Sequence, residues 1–289
     1  MRRTLFTAVS LLVAVILGGC EASEGLSFLS PGGPVAAAQL HHLIVVVLTM
    51  LVVILPVLIG VPYIVWRYRE GGPARTYAPD WCSSRTLEIL VWGVPALLVV
   101  LLGVGLHRST EALDPYAPLS DAAPLHVQAI GLDWKWVFVY PDEGVATVDE
   151  LVVEAGRPVE VEITSGTVIQ SFFVSGLAGQ IYAMPGMVTR QQLQADHPGR
   201  WVGRNSQFNG AGFSGERFEV RAVEPGAFET WLGEVRGSDL TLDAACYGLL
   251  QRREGEAATA SRLGWSGEGP VHFGAVTPGF FEQTGVHPR

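Results

Sequence analysis

"PVEVEITS", residues 158–165, alternates Val159, Val161 and Ile163 with Glu160, Glu162 and Thr164. A strand turns successive side chains to opposite faces, so this stretch predicts a β-strand with one apolar face buried and one polar face wet. The same period recurs around it. "LHVQAIG" (125–131), "WKWVFVY" (134–140), "DELVVEAG" (149–156) and "RFEVRAV" (217–223) are short runs divided by Gly, Pro, Asp and Ser turns. Strands of that length and spacing predict an antiparallel sandwich or small barrel over 121–224.

Upstream the character changes. The 289 residues are 48% hydrophobic and only 16% charged, with a net charge of −9, and the apolar residues concentrate before residue 107. That imbalance predicts that part of the chain lies in lipid while the remainder is an acidic soluble domain. "MRRTLFTAVSLLVAVILGGC" (1–20) pairs Arg2 and Arg3 with a short apolar run and a small-residue end, the pattern of an export signal over 1–19. Its "LGGC" has the form of a lipobox, in which Cys20 becomes an acylated N-terminus; the other reading is a buried thiol in an uncleaved anchor.

Two further apolar stretches, 43–66 and 87–106, are each long enough to cross a hydrocarbon core. They predict a transmembrane hairpin over 43–110, after an outer N-terminal segment at 20–42. Pro56, Pro62 and Pro95 inside these stretches predict packing against neighbouring helices. The connecting loop (67–86) carries Arg67, Arg69, Arg75 and Arg85, whereas 21–42 has no Lys or Arg, so the loop is predicted to be cytoplasmic and both ends outside. Cys82 and Cys246 then lie on opposite membrane faces, and no disulfide within one chain joins them. Beyond the sandwich, "AFETWLGEV" (227–235) and "LTLDAACYGLLQRR" (240–253) predict helices at the start of a tail over 225–289.

Four stretches bear on chemistry. In "GLDWKWVFVYP" (131–141), Trp134 and Trp136 are expected on one strand face as core, and Lys135 exposed on the other. Met184 and Met187 offer thioethers to soft copper, but with no neighbouring His or Cys they read as packing residues. Glu88, at the cytoplasmic end of the second span, is either an interfacial carboxylate solvated or paired with Arg85, or part of a proton path. In "GRNSQFNGAGFSGE" (203–216), Asn205 and Asn209 are four apart, Phe213 follows four later and Glu216 three after that. That is the spacing of a copper site without a residue able to hold copper.

The lipobox, two spans, "DWKW", β domain and this loop, in that order, resemble subunit II of the haem–copper oxidases, closest to subunit 2 of the bacterial bo-type ubiquinol oxidases. "LEILVWGVPALLVV" (87–100), "SFFVSGLAGQIYAMPGMVTR" (171–190) and "GAGFSG" (210–215) carry the likeness, which covers nearly the whole chain. The resemblance implies a cupredoxin sandwich. It also implies that Asn205 and Asn209 stand where cytochrome c oxidases have two Cys, Phe213 where they have His, Glu216 where they have Met, and Gln170 where they have an upstream His. Copper of that class needs thiolate and imidazole, so this subunit is expected to hold no metal and no cofactor of its own. Haem and copper are expected on subunit I, with ubiquinol as substrate of the proton-translocating complex. Expected partners are subunits I, III and IV, membrane lipid and quinol, with no nucleic acid. Phe208 and Phe213 are expected to fill the space the metal left, and Glu88 to feed protons toward subunit I. The competing readings are a cytochrome c oxidase subunit II, whose acidic surface would suit a basic cytochrome c, and a free lipid-anchored assembly factor of the same fold.

Overall fold

The long apolar runs form two helices, α1 (Pro34–Arg67) and α2 (Arg85–Ala112). Their apolar side chains are exposed along nearly the whole length, including Leu58, Ile59, Ile89 and Trp92. Surface of that kind is stable only against lipid or other helices. Both helices are longer than the predicted spans. The computed structural model describes residues 28–69, 82–267 and 269–283. The export signal, Cys20 and the middle of the 67–86 loop lie outside them. The chain divides into two compact units: Ala37–Ala117, and Pro118–Arg289 together with the segment before Ala37.

The second unit is a two-sheet sandwich built from β1 (Leu125–Leu132), β2 (Lys135–Tyr140), β3 (Val145–Val148), β4 (Glu150–Glu154), β5 (Val159–Ser165), β6 (Gln170–Phe173), β7 (Gln180–Ala183), β8 (Thr189–Leu193), β9 (Gly199–Arg204) and β10 (Arg217–Val223). The tail adds α3 (Pro225–Arg236), β11 (Thr241–Leu242), α4 (Ala244–Leu250), α5 (Glu256–Leu263), β12 (His272–Phe273), β13 (Ala275–Val276) and α6 (Phe280–Gln283). One sheet runs β12-β3-β2-β1-β5-β8 and the other β4-β10-β9-β6-β7.

The sandwich differs from the antiparallel one expected. β1 pairs with β5, and β4 with β10, in parallel. β1 and β5 are separated by three strands and β4 and β10 by five, separations at which strands that alternate in direction run the same way. The chain changes sheet at Asp149, the single residue between β3 and β4. It sits at φ +56, a left-handed conformation that Asp tolerates better than most side chains.

Between the sheets, Trp136, Phe138, Phe172 and Phe218 form one aromatic cluster, with Phe172 and Phe218 stacked at 5.1 Å. The segment before α1 is knitted to this unit: Gly32 N donates to Gly176 O at 2.7 Å, and Gly32 O accepts from Asp196 N at 2.8 Å. A Cβ on Gly32 would meet the Trp201 ring at 2.4 Å, so only glycine fits there.

A second core lies on the outer face of the first sheet. Ile130, Leu132, Val137, Val139, Ala146 and Val148 are covered by Leu242, Leu250, Val271, Phe273, Phe280 and Phe281 from the tail. β2 is therefore buried at all six positions and shows no wet face. Lys135, expected outside, is 0% exposed, and Trp134 is not on the strand but in the turn before it, at φ +69. The Lys135 ammonium donates to Leu250 O and Arg252 O, both at 2.9 Å, and to Asp133 O at 3.3 Å. The single helix expected at 240–253 is instead a short strand, a cap and a two-turn helix. Asp243 accepts from Cys246 N at 2.8 Å and starts α4 at the next residue.

Candidate functional site

The loop between β9 and β10 holds four of the five positions singled out for copper, and β6 holds the fifth. Asn205 follows directly on β9. Its Oδ1 accepts from Ser171 N and Gln207 N, each at 2.9 Å, which ties the loop to β6 and sets its first turn. Its Nδ2 donates to Glu216 Oε2 at 3.1 Å, and Asn209 Nδ2 donates to the same oxygen at 2.7 Å. Ser206 adds a second stitch, its N–H reaching Ser171 Oγ at 2.8 Å and its hydroxyl Gln180 Oε1 at 2.6 Å. Gln170, fully buried at the head of β6, donates to Leu132 O at 2.9 Å.

The structure thus gathers Asn205, Asn209 and Glu216 around one carboxylate. Phe213 stays apart. It starts a short 3-10 turn (Phe213–Gly215) and packs edge-on against Phe208 at 5.6 Å, while Phe208 itself is 72% exposed. The expectation that these two rings fill the vacated space is not met. The ring that packs against this loop is Trp134: a Cβ on Gly212 would lie 2.1 Å from its indole, and Gly210, at φ +116, also borders it. Sequence reasoning missed this role because Trp134 was assigned to the strand. The signal was the pair of glycines at 210 and 212, which leave room for a large ring.

None of this fits copper of the type the spacing suggests. The donors are amide and carboxylate groups and an aromatic ring, with no thiolate or imidazole among the five positions. Among the described residues no group of three or more His, Cys, Asp or Glu is placed to hold a metal ion. Met184 and Met187 sit in the β7–β8 turn, and Met187 is 48% exposed rather than packed.

Glu216 is 3% exposed, and burial pushes its carboxyl above the ordinary range, against the lowering effect of the Asn205 and Asn209 amides. The folded state therefore keeps this proton to higher pH than the unfolded chain does. The stability that follows is fully present below the unfolded carboxylate pKa and is lost as pH rises through the raised one. Replacing Glu216 by Gln is expected to flatten that loss. Urea midpoints measured from about pH 4 to about pH 8 would show it; parallel curves for both proteins would mean that Glu216 does not titrate differently on folding.

Glu88 lies in the first turn of α2, where its N–H donates to Ser84 O at 2.9 Å, and a carboxylate is favoured near the positive end of the helix. It makes no ion pair with Arg85 among the described residues.

Residues 144–223 match the family model described as cytochrome C oxidase subunit II, periplasmic domain. The chain is 40% identical over 249 residues to the cytochrome bo(3) ubiquinol oxidase subunit 2 of Pseudomonas putida, covering 86% of this chain and 78% of that protein. It is 36% identical to the ubiquinol oxidase subunit 2 of Acetobacter aceti, covering 93% and 83% respectively. With the cytochrome bo(3) ubiquinol oxidase subunit 2 of Pseudomonas aeruginosa the identity is 35%, over 94% of this chain and 78% of that one.

Proposed function

The chain belongs to the quinol oxidase subunit II family, and from that membership we propose a non-catalytic part for it in a proton-translocating ubiquinol oxidase. The observation carrying this reading is the vacated copper loop, whose Asn205, Asn209 and Glu216 are bonded to one another. A loop closed in that way accepts no electrons, so quinol is oxidised elsewhere in the complex. Haem and copper belong to subunit I, and this subunit supports it alongside subunits III and IV. The two apolar helices anchor it in the bacterial inner membrane as a hairpin, with the sandwich in the periplasm. Cys20 carries a lipid anchor once the 1–19 signal is removed, and the mass of the mature N-terminus tests that step.

Glu88 is the site for proton entry, on the strength of its place at the start of α2. The test uses the purified complex, assayed with quinol and with reduced cytochrome c as donors, alongside its metal content. Quinol-driven oxygen uptake is expected, with no cytochrome c oxidation and no copper on this subunit. Glu88→Gln should slow quinol-driven turnover several-fold without altering subunit composition. Two coppers on this chain, or brisk turnover with cytochrome c, would overturn the reading; unchanged turnover in the Gln variant would remove Glu88 alone.

A further inference from the structure

β9 and β10 run antiparallel, with Arg204 directly opposite Arg217 and Arg200 directly opposite Arg221. Trp201, Phe218 and Val220 from these strands are buried in the core, so the four arginines share the outer face. Two of them are matched. Arg200 lies 2.8 Å from Glu219 Oε1, and Arg221 lies 3.2 Å from Glu150 Oε1. Arg204 and Arg217 have no such partner: among the described residues neither guanidinium comes within 4.0 Å of a carboxylate. Arg204 Nε is buried and makes no hydrogen bond. On its other side Arg204 is paired across the ladder with Phe173, which offers no charge. Like charges directly opposite on a ladder repel, so this register opposes folding unless something neutralises the pair.

We propose that Arg204 and Arg217 form a binding site for a phosphate group, carried by free phosphate or by a phosphate ester such as a lipid headgroup. Two arginines directly opposite on neighbouring strands bring several N–H donors to one face of the sheet, guanidinium forks recognise a tetrahedral oxyanion bidentately, and phosphate supplies the missing negative charge. A carboxylate would engage one fork and leave the other uncompensated. Arg217 also lines a cleft of about 780 Å³ between these strands and α5, walled in part by Val202, Ala260 and Pro270, which gives room for an organic body beyond the phosphate. The cleft contains three acids. Glu219 is engaged by Arg200. Burial pushes the carboxyls of Asp149 and Glu256 upward, toward their neutral forms, so both oppose an anion less than surface acids would.

The test is thermal unfolding of the full-length chain in detergent, with sodium phosphate against sodium chloride at matched ionic strength, and separately with a water-soluble short-chain phosphatidylglycerol. Phosphate about tenfold above its dissociation constant is expected to raise the midpoint by about 2–4 °C. Arg204→Gln and Arg217→Gln should each lose that rise while melting, in phosphate-free buffer, at or above the wild-type temperature because the repulsion is gone. Arg200→Gln, whose arginine is already paired, should keep the rise. A rise with the lipid but not with free phosphate assigns the site to a headgroup. No rise with either probe, or a rise that persists in both Gln variants, overturns the proposal. So does a variant that melts lower than wild type in the absence of phosphate, since the pair would then be stabilising by itself.

Discussion

Ending the chain at Val223 is expected to yield an aggregated or protease-sensitive product, although the family match itself stops at that residue. The reason is the second core. Without the tail, Ile130, Leu132, Val137, Val139, Ala146 and Val148 lose their cover. At about 1.5–3 kcal/mol for each large apolar side chain, the loss is on the order of 10 kcal/mol, comparable with the whole stability of a domain. The cut also removes Phe228, Trp231, Leu232 and Val235 of α3 from the inner core. Limited proteolysis and urea unfolding of the full-length and truncated chains would measure this; a truncated chain with a cooperative transition near the full-length midpoint would show that the tail is dispensable.

Lys135→Met should cost about 1–3 kcal/mol, the penalty for leaving buried hydrogen-bonding groups without a partner. The ammonium closes the carbonyl end of α4 through Leu250 O and reaches Arg252 O beyond it, and Arg253 adds an ion pair to Asp133 at 2.9 Å. These contacts pin the tail to the turn before β2. Burial lowers the Lys135 pKa, against the raising effect of Asp149 and other nearby acids, so the charge is held at a desolvation cost that the carbonyls offset. Methionine keeps much of the volume but makes none of the three bonds, which leaves buried carbonyls unpaired. Because Lys135 is the only lysine in the sequence, amine labelling reads its burial directly. The folded protein should resist side-chain modification and the unfolded one accept a single label at this position. Rapid labelling in the native state, or a Met variant as stable as wild type, would show that this lysine does not hold the tail.

Much of the candidate site was legible because it depends on side-chain type at fixed spacing. Asn205, Asn209, Phe213 and Glu216 exclude thiolate–imidazole copper whatever the loop's shape, and the structure adds how three of them are satisfied. The role given to Phe208 and Phe213 failed because aromatic residues in a loop carry no record of which way they face. Trp134 lies against Gly212 because a positive-φ turn lifts it off the strand, and no period reveals a turn of that kind.

The sequence by itself determined where the chain is apolar enough for lipid, which stretches alternate as strands, and that the loop lacks copper-binding chemistry. All three follow from composition and short-range period, which are local properties. Only the tertiary structure decided that β1 lies parallel to β5, that the tail buries the outer face of a sheet, that the lone lysine is inside, and that Arg204 faces Arg217. Each of those depends on residues far apart in the chain meeting at one place, and the free energy of that meeting is written in no single stretch.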